Sequence, residues 1–127
     1  MVGVKTLLVV VALVGCTPGM HRGYRATMAV LGATAMTMDT RQTIYAMHSG
    51  AAPEANPLYG PHPSDAALIA GGVTGVGFMF GFRELIERLP DKGPGTDLVK
   101  DILVTVPTVL EACVVYSNTS RVGWRDW

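Results

Sequence analysis

Between Asp65 and Arg83 the chain runs through seventeen residues, Ala66 to Phe82, without one charged side chain. The run holds no proline and is too long for a strand, so it reads as one helix. Ser64 before it is a good N-cap, and Asp65 suits the positive end of the helix dipole. Five glycines lie inside it: Gly71, Gly72, Gly75, Gly77 and Gly81. In water each would cost about 1 kcal/mol relative to alanine. In a bilayer glycine is common, because small residues let backbones approach where lipid offers no hydrophobic drive. The run therefore points to a membrane helix. Gly71-x-x-x-Gly75 and Gly77-x-x-x-Gly81 are small-residue pairs, and Ala67 extends the first by a turn. They suit packing against another helix of the chain, or pairing of two copies into a homo-oligomer.

The rest of the composition agrees. The 127 residues suffice for one domain. Ten Lys and Arg balance ten Asp and Glu, which removes the electrostatic case for nucleic acid as a partner. Charged residues are 16% and apolar residues 49%, so intrinsic disorder is excluded. Two cysteines make no disulfide scaffold.

The N-terminus reads as a processing signal. Lys5 precedes an uncharged stretch, Thr6 to Gly15, of ten residues. That length fits the core of a signal peptide and falls short of a bilayer span. The stretch ends in Leu13-Val14-Gly15-Cys16, which resembles a bacterial lipoprotein lipobox. The resemblance implies cleavage after Gly15 and acylation of Cys16, giving a signal peptide over 1–15 and a lipid-anchored tether over 16–22. Thr17-Pro18-Gly19 reads as its flexible exit. Membrane lipid, held through Cys16, is then the expected partner, on the periplasmic side of the inner or outer membrane. Cys113, alone in an apolar stretch, reads as a packing residue.

Two further helices complete an all-α bundle over 23–119, with a tail over 120–127. The first runs from about Gly23 to Met47. Its apolar character is interrupted by Asp39, Gln42 and Thr43, which share one face. A proline-rich loop, His48 to Ser64, leads to the glycine-rich helix, which Arg83 to Leu89 extends with a Glu84–Arg88 pair at i,i+4. The last helix opens at Thr96 or Asp97 and ends near Asn118, bent at Pro107. Asp101, Thr105, Thr108, Glu111 and Asn118 form one polar stripe on it. Trp124 and Trp127 alternate with Arg121 and Arg125 in the tail, a pairing suited to a membrane–water interface.

Ionisable residues inside a membrane bundle are costly and usually partnered. Asp39, Gln42, Thr43, Glu54, Asn56, His62, Glu111 and Asn118 therefore form the candidate polar site, with Glu54 or Asn56 expected to dock on Asp39, Gln42 or Thr43. Two facing carboxylates can share a proton, bind a cation or staple a loop to a helix. No metal-binding spacing, phosphate loop or nucleophile elbow occurs. No cofactor and no metal are expected, and the chain reads more as a structural component than as an enzyme.

Asp39-x-x-Gln42-Thr43, then Glu54-x-Asn56-Pro57-Leu58-x-Gly60-Pro61-His62-Pro63-Ser64, then Glu111 with Asn118 seven residues on, resembles a group of small lipoproteins and membrane proteins encoded by tailed phages, prophages and their proteobacterial hosts. Ala55 stands where the group has Thr, and an aromatic pair after Ser64 is missing. The resemblance implies a lipid-anchored helical envelope protein and carries no established activity. A lysis accessory of the spanin type and an intramembrane enzyme using an Asp/Glu site are the rival expectations. Spanin-like lipoproteins are short, proline-rich and poor in membrane helices, unlike this chain.

Overall fold

The computed structural model describes residues 18–50, 60 and 62–122. They form three helices, α1 (Pro18–Ser49), α2 (Asp65–Glu87) and α3 (Pro94–Val122), and no strand occurs among the described residues. The protein is all-α. The signal peptide, Cys16, Glu54, Asn56 and the tryptophans of the tail lie outside the described residues.

Helix ends follow local chemistry. Ser64 is the N-cap of α2, in extended conformation, and its hydroxyl accepts from the Ala67 N–H at 3.2 Å. Asp65 occupies the first turn. Arg88 donates to Glu84 at 3.1 Å across one helical turn. Gly93, at φ 125°, takes a backbone conformation that suits glycine, and it turns the chain into α3.

Two helix starts differ from the sequence reading. Helix α3 begins at Pro94, ahead of Thr96, because proline's fixed φ and missing N–H suit a first helical position. α1 is already helical at Pro18, the first described residue of this segment, ahead of the expected start near Gly23. α1 also continues to Ser49, and α3 passes through Pro107 to Val122 as one helix.

The three helices run up, down, up. Tyr24 meets Thr105 and Gln42 meets Thr119, so α1 and α3 are parallel. Arg25 meets Glu87 while His48 meets Asp65, so α2 is antiparallel to both. α1 is the central helix, packing closely on each neighbour, whereas α2 and α3 touch much less.

Close approach rests on small residues. A Cβ on Gly32 would lie 2.9 Å from Thr108 Oγ1 and 3.0 Å from Met79 Sδ, so glycine marks the point where all three helices meet. On α2, a Cβ on Gly75 would overlap Met36 Sδ, and one on Gly72 would overlap Thr40 Oγ1. A Cβ on Gly77 or Gly81 would meet nothing within 4 Å. The two small-residue pairs are thus divided: Gly75 lies against α1, while Gly77 and Gly81 lie on open surface.

The interior is thin and polar. Among the described residues, nine apolar side chains are buried, four of them alanines on α1. Arg25, Lys100, Gln42, Asp101, Thr108 and Thr119 are buried with them. Large apolar side chains lie outside, including Ile69, Val73 and Phe78 on α2 and Ile102, Val106 and Leu110 on α3. Cys113 is exposed too, which corrects its reading as a packing residue. It falls on the outward face because α3 turns its polar stripe, not its apolar face, toward α1. The 23 residues of α2 extend about 34 Å, against about 30 Å for a hydrocarbon core. It is the one helix among the described residues long and apolar enough to cross a membrane.

Candidate functional site

The polar stripe of α3 faces α1 along its length, and the seam between them carries two clusters, one at each end. At the end holding the N-termini of α1 and α3, Arg25 is 2% exposed. Its guanidinium donates through Nε and Nη2 to both oxygens of Glu87, at 2.8 and 3.1 Å. Nη1 donates to Asp101 at 2.8 Å and to Asp97 at 3.2 Å. One side chain thereby ties all three helices together. Burial works against its charge, but the bonds to Glu87 and Asp101 outweigh it and hold the guanidinium more firmly protonated than in water.

Around this centre His21 Nδ1 lies 2.5 Å from Asp101 Oδ2, and Lys100 donates to Asp91 at 2.7 Å. Lys100 is buried, and its ammonium holds the exposed Asp91 carboxyl below the usual range. A cleft of about 330 Å³ opens here, bordered by Arg22, Arg25, Glu87, Asp91, Asp97 and Lys100. Every cation bordering it lies within ion-pair distance of a carboxylate.

Tyr24 meets Thr105 one turn further along the seam, at 2.7 Å. The Thr108 hydroxyl then donates to the Met28 carbonyl at 2.9 Å, a bond from one helix to the backbone of the other.

At the far end the seam becomes polar again. Asn118 Nδ2 donates to Asp39 Oδ1 at 2.6 Å, and Gln42 Nε2 donates to Thr119 Oγ1 at 2.7 Å. Thr43 and Glu111 are half-buried, and Glu111 lies within the field of Asp39. The structure thus brings together Asp39, Gln42 and Asn118 of the expected site, with Glu111 nearby. His62 is exposed in the segment before α2. Among the described residues, no group of three or more His, Cys, Asp or Glu is placed to hold a metal ion.

Arg25, Glu87, Asp97, Lys100 and Thr119 carry much of this seam and were not singled out from sequence. One signal was present. Glu87 is an acid at the C-terminal end of α2, where the dipole disfavours it, so it needs a compensating cation. Arg25 is that cation, the one charge between Arg22 and Asp39.

Neither a protein-family model nor any curated protein or solved structure matches the chain.

Proposed function

We propose that the protein is a lipid-anchored, membrane-embedded component of a bacterial envelope, of phage or prophage origin, with a structural role rather than turnover. The observation that carries the membrane reading is the inverted distribution of side chains. Alanine, glycine and hydrogen-bonded polar groups fill the helix interfaces, and large aliphatic and aromatic side chains point outward. In water that arrangement leaves apolar surface exposed and buries little in return. In lipid it is the favourable one, since small residues and interhelical hydrogen bonds drive association there.

In this reading α2 crosses the bilayer and the Arg25 cluster lies at the membrane–water interface. Cys16 lies two positions before Pro18, the first described residue of α1, so an acyl anchor on it would sit on the face that carries the cluster. The lipid anchor and the phage origin rest on the lipobox and on the resemblance of the Asp39, Glu54 and His62 segments.

Alkaline carbonate extraction of membranes from expressing cells tests this. The full chain is expected to stay in the membrane pellet until detergent is added. Release into the carbonate supernatant would overturn the embedded reading and leave at most a peripheral protein.

A further inference from the structure

The cleft at the Arg25 end of the bundle is bordered by charges of both signs in equal number. Arg22, Arg25 and Lys100 are its cations, and Glu87, Asp91 and Asp97 its carboxylates. Its volume of about 330 Å³ stands at the small end of ligand cavities, enough for a polar head group. A lone anion or a lone cation would meet as much repulsion as attraction there. A small zwitterion would not, provided each of its charges meets the opposite one.

The six groups are not equally engaged. Arg25 and Glu87 are saturated, since Arg25 Nε and Nη2 occupy both Glu87 oxygens and Nη1 serves Asp97 and Asp101. Lys100 is buried on Asp91 Oδ1. Arg22 is different. Its side chain is 77% exposed, and its one ion pair, to Glu87 at 3.9 Å, is too long for a hydrogen bond. Asp91 and Asp97 each engage Oδ1 alone, so their Oδ2 atoms accept nothing from the described residues. α1 thus offers a guanidinium with its donors free, while the turn before α3 and the first turn of α3 offer two carboxylate oxygens. A guanidinium fits a phosphate diester, and a pair of carboxylate oxygens fits a primary ammonium with three N–H donors. Exposed Met20 and Leu98 are the sequence neighbours of Gly19 and Asp97 in the cleft lining. Apolar side chains beside a charged cleft suit a ligand that also carries acyl chains.

We propose that this cleft binds the head group of a phosphatidylethanolamine, with Arg22 on the phosphate and Asp91 and Asp97 on the ammonium. The inference rests on the envelope reading for the source of the ligand. The site itself needs only the packing of the three helices, so it is tested in detergent micelles. A failure there leaves the carbonate-extraction result standing.

The experiment is thermal unfolding of the full chain in dodecyl maltoside, titrated with short-chain phosphatidylethanolamine, phosphatidylcholine or phosphatidylglycerol. Phosphatidylcholine keeps both charges but has no N–H on its quaternary nitrogen, and phosphatidylglycerol keeps the phosphate alone. Phosphatidylethanolamine is expected to raise the midpoint in a saturable manner, and the other two to raise it less at equal concentration. Arg22→Gln, at an exposed position, should lose that rise. Asp91→Asn should lose the advantage of phosphatidylethanolamine over phosphatidylglycerol. Equal midpoints in the three lipids for the parent chain would overturn the proposal, as would a rise that survives in Arg22→Gln. Glycerophosphoethanolamine, the free head group, separates the two sources of this chemistry: a rise equal to that given by the lipid would overturn the lipid as ligand.

Discussion

Replacing Arg25 by methionine should be among the most destabilising single changes available to this chain. Methionine keeps the length and apolar stem of the arginine but removes four hydrogen bonds, two to Glu87 and one each to Asp97 and Asp101. The loss of the bonds is the smaller part. Asp101 is 8% exposed, and the Glu87 side chain is 14% exposed. Asp101 would keep only His21 as a partner, and Glu87 only the longer pairs to Arg83 at 3.5 Å and Arg22 at 3.9 Å. Breaking a buried ion pair from one side costs about 3–5 kcal/mol, and three carboxylates share this one cation. Helical circular dichroism during titration of dodecyl sulfate into mixed micelles would measure the difference. Arg25→Lys should fall between parent and Arg25→Met, since an ammonium cannot hold both Glu87 oxygens in a planar fork. Adding Glu87→Gln and Asp101→Asn to Arg25→Met should recover much of the loss, because the charges left behind are what destabilise. A loss below about 0.5 kcal/mol for Arg25→Met, the range of ordinary surface substitutions, would refute the reasoning.

Three further outcomes are expected. Gly75→Leu should destabilise by about 1–3 kcal/mol, because the new side chain must displace Met36, whereas Gly77→Leu should be near neutral in the same dodecyl sulfate titration. Cys16→Ser should abolish incorporation of a palmitate analogue and leave an unprocessed precursor; equal labelling of mutant and parent would remove the lipid anchor. Lys100 lowers the Asp91 carboxyl's affinity for protons, so this pair contributes stability above about pH 4 and loses it as the pH falls further. The acid limb of the stability profile should therefore shrink in Asp91→Asn.

Particular residues show where sequence reasoning reached and where it stopped. The start of α2 was legible because Ser64 and Asp65 act through their own backbone neighbourhood, and the Glu84–Arg88 pair for the same reason. The stripe Asp101, Thr105, Thr108 and Asn118 was legible as a stripe, since helical periodicity tells which residues share a face. Periodicity does not tell which way that face points. It turns toward α1 because Tyr24, Arg25, the Met28 carbonyl and Asp39 offer it partners there, and only the fold brings those together. Arg25 itself was overlooked because a single arginine near a helix start is equally suited to solvent. Its burial depends on three carboxylates from α2 and α3, which are 62 to 76 positions away in the chain. The glycines of α2 announced close packing, but their sorting into Gly72 and Gly75 against α1 and Gly77 and Gly81 outward required the position of α1.

The inverted arrangement, polar seam inside and apolar faces outside, is tested most directly by measuring what touches those faces. A nitroxide on exposed Cys113, and on cysteines placed at Val73 and Leu110, can be relaxed by oxygen dissolved in lipid or by a water-soluble nickel complex. In reconstituted bilayers all three positions should show high oxygen and low nickel collision rates. High nickel and low oxygen rates at Val73 and Leu110 would place the apolar faces in water and contradict the account.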